Sequence, residues 1–392
     1  MQNFTYYAPT RVVFGKGVEE QAGALVKAAG GRKVLIHYGG GSAKRSGLLD
    51  RVTASLDAAG LAHVELGGVL PNPRLSKVRE GIALCRAAGV DFLLAVGGGS
   101  VIDSAKAIGY GLCYDGDVWD FYARRATAKA CAPVGCVLTI AAAGSEMSNS
   151  SVITNEEGGL KRGYNDDLCR PRFALMNPEL TYTLPPYQTA CGAADIMMHT
   201  MERYFTTEPD TELTDALAEG LMRTVRDCAL TLRDKPGDYA ARANLMWASS
   251  LSHNGLTGCG TVGDWASHQM EHELGGMFDC AHGAGLTAIW PSWARYVLGV
   301  CPARFARFAV RVMDVAPAAD DAATAEAGIA AMEDFYRAIG MPTSIKELGI
   351  DLTDAQIDEL ALKCTFCRKR TVGGFKVLGE EDIRRIYRMA RG

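Results

Sequence analysis

The segment DFLLAVGGGSVIDSAKAIGYG, residues 91–111, decides the fold. Its first six residues are a short, mostly apolar run, as a strand buried on both faces of a parallel sheet requires. Gly97, Gly98, Gly99 and Ser100 end that run, and VIDSAKAIGYG then reads as a helix. The same order appears upstream. KVLIHY (33–38) ends in Gly39-Gly40-Gly41-Ser42 and is followed by the helical pattern SGLLDRVTASLDAAG (46–60). A further helical pattern, KVREGIALCRAAG (77–89), closes on Gly89 as a C-terminal cap. Repeated strand, loop and helix units predict an α/β domain with a parallel sheet.

From Pro185 onward the strand signals nearly vanish. LPPYQTACGAADIMMHTMERYFT opens with prolines suited to a first helical turn, and TELTDALAEGLMRTVRDCALTL, AARANLMWASSLSHN, ATAEAGIAAMEDFYRAIG and TDAQIDELALKC keep an apolar spacing near that of a helix. The chain's 392 residues exceed the ~250–300 at which single cores stop growing, so two domains are the default. Residues 1–184 read as a dinucleotide-binding α/β domain and 185–392 as an all-helical metal-binding and catalytic domain, joined at MNPELTYTLPP.

Composition narrows the function. With 48% hydrophobic and 22% charged residues and a net charge of -4, the chain has no basic excess for gripping a phosphodiester backbone. Nucleic acid is excluded as an expected partner. MQNFTYYAPTRVVFG lacks the basic and apolar regions of a secretion signal, and no stretch approaches the ~20 apolar residues of a membrane span. The expected location is the cytoplasm. Twelve scattered cysteines fit reduced, mostly buried thiols better than a disulfide framework. Cys364 and Cys367 form a CxxC, but no second pair completes a zinc site.

The glycine loops suggest a bound anion. At Gly98-Gly99-Ser100 the backbone approaches a ligand closely, and the N–H groups opening the next helix suit a pyrophosphate. A GxGxxG string at Gly258 to Gly263 follows a helical pattern instead of a strand, so it reads as an interhelical connection. At Gly39 to Ser42 no carboxylate is available to accept from a ribose 2′-hydroxyl, while Lys44 and Arg45 stand nearby. If this loop faces the adenosine ribose, a 2′-phosphate is favoured.

Polar residues in the apolar C-terminal half point to a cation. Asp195 and His199 in DIMMH are one helical turn apart, on one face. His268, His272 and His282 lie in HQMEHELGGMFDCAH. Burying a carboxylate and imidazoles in such surroundings costs several kcal/mol, and a shared divalent ion removes that cost. Spacing alone leaves open whether His268 or His272 is the ligand. Asp264 is a candidate N-cap for their helix, and Gly275-Gly276 a candidate stop.

Taken together, FTYYAPTRVVFGKG, LPNPRLSKVREG, GGGSVIDSAKAIG, LTIAAAGSEMSNSSVIT, NPELTYTLPP, AADIMMHTMERY, WASHQMEHELGG, DCAHGAGLTAIWP and GGFKVLGEEDI resemble the iron-containing (group III) alcohol dehydrogenases, in particular their butanol-dehydrogenase-like branch of NADP-dependent aldehyde reductases. The resemblance runs nearly the full length. It implies a Rossmann-like α/β domain plus an all-α domain, the dehydroquinate synthase-like fold. It also implies metal ligands at Asp195, His199, His268 and His282, with His272 beside substrate and nicotinamide as the catalytic proton carrier. Gly40 and Ser42 match the adenosine-phosphate loop, Asn72 a cofactor contact, and Gly98, Gly99 and Ser100 the pyrophosphate loop. Asp103 matches the acid after that loop; Thr139, Ser145 and Lys161 match positions around the nicotinamide and ribose. Where such proteins often carry a Pro and a Thr before Gly-Ser-Glu, this chain has Ala141-Ala142-Ala143.

The implied activity is hydride transfer between NADP(H), with NAD possible, and a small aliphatic aldehyde or primary alcohol. One divalent ion, Fe(II) or Zn(II), would polarise the oxygen, and the resemblance suggests a homodimer. The alternative is a dehydroquinate-synthase-type or glycerol-dehydrogenase-type metal enzyme of the same fold. Against the former, the site segments are rich in Met147, Met197, Met198, Trp265, Met270, Met277 and Phe278 instead of basic residues, which favours aldehydes and alcohols.

Overall fold

A computed structural model describes residues 1–392. They form two compact units, Tyr7–Leu184 and Pro185–Gly392, with Met1–Tyr6 belonging to the second. That is a correction to the expected 1–184 domain. The N-terminal ammonium donates to the Pro209 carbonyl at 2.6 Å and Gln2 N–H to the Gly260 carbonyl at 3.0 Å, bonds that tie the first residues to the helical unit.

The α/β unit contains eight strands: β1 (Arg11–Phe14), β2 (Lys33–Tyr38), β3 (Ala62–Leu66), β4 (Phe92–Gly97), β5 (Val134–Leu138), β6 (Ser150–Asn155), β7 (Leu160–Asn165) and β8 (Phe173–Met176). Six form one parallel sheet in the order β1-β8-β5-β4-β2-β3. β4 and β5 are buried along their whole length, consistent with a sheet covered on both faces. Helices α1 (Ala22–Ala28), α2 (Ser42–Arg45), α3 (Leu48–Ala58), α4 (Leu75–Ala88), α5 (Gly99–Leu112) and α6 (Trp119–Tyr122) connect them. Val26, Leu48, Val52 and Leu56 pack with Ile36, Phe92 and Leu94 in one apolar core. Gly89 ends α4 in the left-handed conformation, φ 68°, as its cap position requires. The antiparallel hairpin β6–β7 departs from the repeating pattern.

The second unit is helical: α7 (Pro186–Tyr204), α8 (Glu212–Asp234), α9 (Tyr239–His253), α10 (Ala266–Phe278), α11 (His282–Val297), α12 (Pro302–Arg311), α13 (Asp321–Ala338), α14 (Asp354–Cys364) and α15 (Glu380–Ala390). Gly258 to Gly263 lie in the connection between α9 and α10, following a 3-10 turn at Leu256–Gly258, as the failed GxGxxG context predicts. The N-cap of α10 is Trp265 and not the expected Asp264, which stands one residue earlier: one of its oxygens accepts from Ala266 N–H at 2.9 Å and the other from the N–H groups of Gly374 and Phe375. The expected stop at Gly275-Gly276 is wrong: α10 continues to Phe278. All twelve cysteines are free thiols, and no helix is long and apolar enough to cross a membrane.

Candidate functional site

In the α/β unit the sheet order creates a candidate ligand position. From β2 the chain runs outward to β3, and from β4 it runs the other way to β5, so the order reverses between β2 and β4. Ligands in open parallel sheets collect at the carboxyl ends of such a pair. Tyr38 pairs with Val96 there, which brings the two glycine loops side by side. A Cβ on Gly98 would meet Ile140 Cγ2 at 2.2 Å, whereas one on Gly40 would meet nothing within 4 Å. Gly98 caps α5, so the first N–H groups of that helix, at Gly99 and Ser100, open toward the loop. Ser42 opens α2, with Lys44 and Arg45 exposed after it. Thr139 follows β5, its N–H bound to the Gly97 carbonyl at 3.1 Å.

The remaining nucleotide candidates lie on the hairpin and what it touches. Asn72 is buried with φ 52°, and the next residue, Pro73, accepts from Thr154 N–H at 2.8 Å. Thr154 pairs across the hairpin with buried Lys161. Asp103 accepts from the Ser145 hydroxyl at 2.5 Å and from Val152 N–H at 3.0 Å, so both its oxygens hold the segment leading into β6. Lys106 adds a contact that no local sequence motif marks. Its fully buried ammonium donates to the carbonyls of Ser145, Ser148 and Ser150 at 2.7, 3.0 and 2.8 Å. It fixes the same loop from below.

In the helical unit, Asp195 Oδ1, His268 Nε2 and His282 Nε2 converge: each imidazole nitrogen is 3.7 Å from the carboxylate oxygen. That is too long for a hydrogen bond, and Asp195 Oδ1 and His268 Nε2 are buried without one. Two ligands of a tetrahedral ion, each about 2.0–2.1 Å from it, stand about 3.4 Å apart, so the gap suits a cation with a few tenths of an ångström to close. His199 packs against His268, ring centroids 4.5 Å apart, but its Nδ1 lies 3.0 Å from both Asp195 Oδ1 and the Asp195 backbone carbonyl. The three ligand atoms that share one point are those of Asp195, His268 and His282. His199 can join them only through Nε2.

The bonding of the rings fits that role. Nδ1 of His199 faces the Asp195 carbonyl, Nδ1 of His268 faces Glu202 Oε1 at 2.9 Å, and Nδ1 of His282 is in close contact with Glu271 Oε2. With the proton on each Nδ1, every Nε2 keeps its lone pair for a metal. Glu202 and Glu271 were absent from the sequence reading, although each stands three residues after a histidine of the cage. Burial pushes His268 down, yet Asp195 and Glu202 outweigh it and hold it at about 9. Burial likewise pushes Asp195 up, but the charges of His199 and His282 hold it well below the usual carboxylate range. His199, with no second carboxylate, is pushed by burial down to about 4. This interior calls for positive charge.

His272 is half-buried, its ring 5.9 Å from that of His282. It groups with Glu271 and His282 and not with Asp195, whereas His268 groups with Asp195 and His282. The apolar lining needs correction. Met197, Met198 and Met270 are fully buried core residues and Met147 is nearly so; among the expected lining residues only Trp265, Met277 and Phe278 remain partly accessible. Neither Cys364 nor Cys367 belongs to a metal-sized cluster.

Known proteins share this arrangement of chain. Residues 9–178 match the iron-containing alcohol dehydrogenase family, and residues 189–391 match the C-terminal part described for the Fe-containing alcohol dehydrogenase family. A probable NADH-dependent butanol dehydrogenase of Bacillus subtilis is 42% identical over 389 residues, 99% of each chain. An NADPH-dependent aldehyde reductase of Escherichia coli is 36% identical over 400 residues, covering all of both. The crystal structure of an NADH-dependent butanol dehydrogenase from Thermotoga maritima superimposes with a TM-score of 0.96 at 38% identity, over 100% of this chain and 99% of that one. Because both halves match, and relatives align from end to end, the chain belongs to the iron-containing alcohol dehydrogenase family.

Proposed function

We propose that the protein reduces small aliphatic aldehydes, and oxidises the corresponding primary alcohols, by hydride exchange with a nicotinamide dinucleotide at a site holding one Fe(II) or Zn(II). The observation that carries the reading is the convergence of Asp195 Oδ1 and His268 Nε2, both buried, with Nε2 of the half-buried His282, without hydrogen bonds among them. A bound divalent cation supplies a Lewis acid for the oxygen of the carbonyl or alkoxide, and the nicotinamide supplies or takes the hydride. Asp195, His199, His268 and His282 hold that cation with one negative charge and three neutral rings, leaving it a net positive charge. His272, outside the ligand set, carries the proton that the substrate oxygen gains or loses; an imidazole is suited to this near neutral pH. Trp265, Met277 and Phe278 offer apolar contact to a short alkyl chain.

NADP(H) is the proposed carrier. Gly98, Gly99 and Ser100 bind its pyrophosphate through backbone N–H groups. Gly40 and Ser42, with Lys44 and Arg45, take the 2′-phosphate, and no carboxylate on that loop repels it. Asn72, Thr139 and Lys161 contact the ribose and nicotinamide portion, while Asp103 and Ser145 support it. Relatives named for NADH and for NADPH both occur, so the carrier has to be measured. Protein purified without oxygen is analysed for iron and zinc, then assayed on a panel of linear aldehydes with NADPH and NADH in parallel. One equivalent of metal per chain and a higher kcat/KM with NADPH are expected. Full turnover after metal stripping would sink the mechanism, and a clear preference for NADH would overturn the carrier.

A further inference from the structure

Two buried carboxylates stand beside the cluster of Asp195, His268 and His282 without being part of it. Glu202 and Glu271 are 2% and 0% exposed, surroundings in which an unpaired carboxylate is costly. Glu202 Oε1 accepts from both the ring Nδ1–H and the backbone N–H of His268, each at 2.9 Å. Glu271 Oε2 contacts His282 Nδ1. The spacing is the same twice: Glu202 is three residues after His199 on α7, and Glu271 three after His268 on α10. Yet neither serves the histidine on its own helix. Glu202 reaches from α7 to α10, and Glu271 from α10 to the first residue of α11.

We infer that Glu202 and Glu271 are positioning residues that set the metal affinity of the cage by locking His268 and His282 as Nδ1–H tautomers with Nε2 aimed at Asp195. The inference rests on the metal reading given above. A ring whose proton sits on Nε2, or which turns away, cannot ligate; an anionic acceptor at Nδ1 fixes both the proton and the ring, and makes the opposite nitrogen more basic. The geometry shows the result, since both Nε2 atoms end 3.7 Å from the same carboxylate oxygen. Because each carboxylate rides on the helix of the preceding histidine, α7 fixes the ligand of α10 and α10 fixes the ligand of α11. Glu202 also holds an N–H in the first turn of α10. Its loss therefore disturbs ring and helix start together, and should be the more damaging of the two.

The full-length protein is stripped and reloaded with Zn(II), and its affinity is read by competition with a chromophoric chelator. Glu202→Ala and Glu271→Ala should bind zinc roughly 10–100-fold more weakly, the usual loss for partners of ligating histidines. Glu202→Gln and Glu271→Gln keep an acceptor oxygen in place with little change in shape, so they should fold and recover most of that loss. With Co(II) in place of zinc, the visible spectrum of the Gln variants should keep the wild-type band pattern, because no ligand has been removed. Zinc affinity within twofold of wild type in both Ala variants would overturn the inference while leaving the metal reading intact. So would a Glu271→Gln cobalt spectrum showing a lost ligand, which would make Glu271 a ligand together with His272 and His282. Wild-type protein that takes up neither zinc nor cobalt would remove the metal reading and the inference with it.

Discussion

His37 and His268 are both buried imidazoles, and the two units use them in opposite ways. On β2 of the α/β unit, His37 has Nδ1 2.9 Å from the Leu66 carbonyl and Nε2 2.8 Å from the Ser104 hydroxyl, so both nitrogens are paired with neutral groups. On α10 of the helical unit, His268 has Nδ1 on Glu202 and Nε2 on nothing. The electrostatics follow the partners. Burial pushes His37 down to about 4, whereas the carboxylates around His268 overcome the same burial and lift it to about 9. Burial alone does not distinguish a packing histidine from a ligand; the unpaired nitrogen and the surplus of negative charge do.

The contrast breaks most easily in the helical unit. Asp195→Ala removes the one ligand carboxylate of the cage and leaves His268 and His282 without their common partner. Metal content of the purified variant should fall to background. Losing several kcal/mol of charge stabilisation corresponds to a drop in turnover of at least ~10³-fold. Retained metal with full activity would mean that the convergent atoms are a packing accident. His272→Ala separates the neighbouring imidazole from the cage: metal content should remain at wild-type level while kcat falls ~10²-fold, the lower range for a lost general acid or base. Loss of metal from that variant would instead place His272 among the ligands.

The α/β unit makes its site mainly from backbone, so there the informative substitutions add atoms. Gly98→Ala places a methyl 2.2 Å from Ile140 Cγ2, and overpacking of this kind costs ~1–3 kcal/mol. If that cost falls on the nucleotide loop, KM for NADPH rises about tenfold to a hundredfold with metal content unchanged. Gly40→Asp enters open space and brings a carboxylate to the proposed 2′-phosphate position. It should raise KM for NADPH about tenfold and leave KM for NADH nearly unchanged. Equal effects on both carriers would place Gly40 away from the ribose.

How legible each unit was depends on what makes its features. KVLIHY became β2 without a shift, because its apolar centre Val34-Leu35-Ile36 is bounded by a glycine loop, as a buried parallel strand is written. The β6–β7 hairpin was not read, although its Gly158-Gly159 turn has φ of 83° and 58°; its strands are too polar to show alternation. The Gly275-Gly276 stop failed because a helical glycine costs only about 1 kcal/mol against alanine, which packing overrides. The cage was visible as residue types, since helical spacing puts Asp195 and His199 on one face. Glu202 and Glu271 were not, because a glutamate one turn after a histidine is ordinarily a solvated surface group. Their burial is a product of how α7, α10 and α11 pack, which no local pattern records.

The smallest effect tests the other half of the comparison, that His37 is purely structural. Its folded value of about 4 lies below the unfolded reference of about 6.5. Between those two the unfolded chain binds a proton that the folded chain refuses. The stabilising contribution is therefore complete above pH 6.5 and is lost as pH falls toward 4, by at most ~3 kcal/mol. Asp264 works in the other direction: burial and Glu202 push its carboxyl up to about 7, so it favours the folded state at lower pH and obscures the total curve. The difference between wild type and His37→Gln cancels that contribution, since Asp264 is common to both. Urea unfolding of the metal-free proteins should show wild type ahead at pH 7 and the gap closing or reversing by pH 4.5, with no change in the zinc content of the loaded enzymes. A gap that stays constant with pH would mean that burial does not hold His37 neutral, and the distinction drawn between the paired and the bare imidazole would lose its reference case.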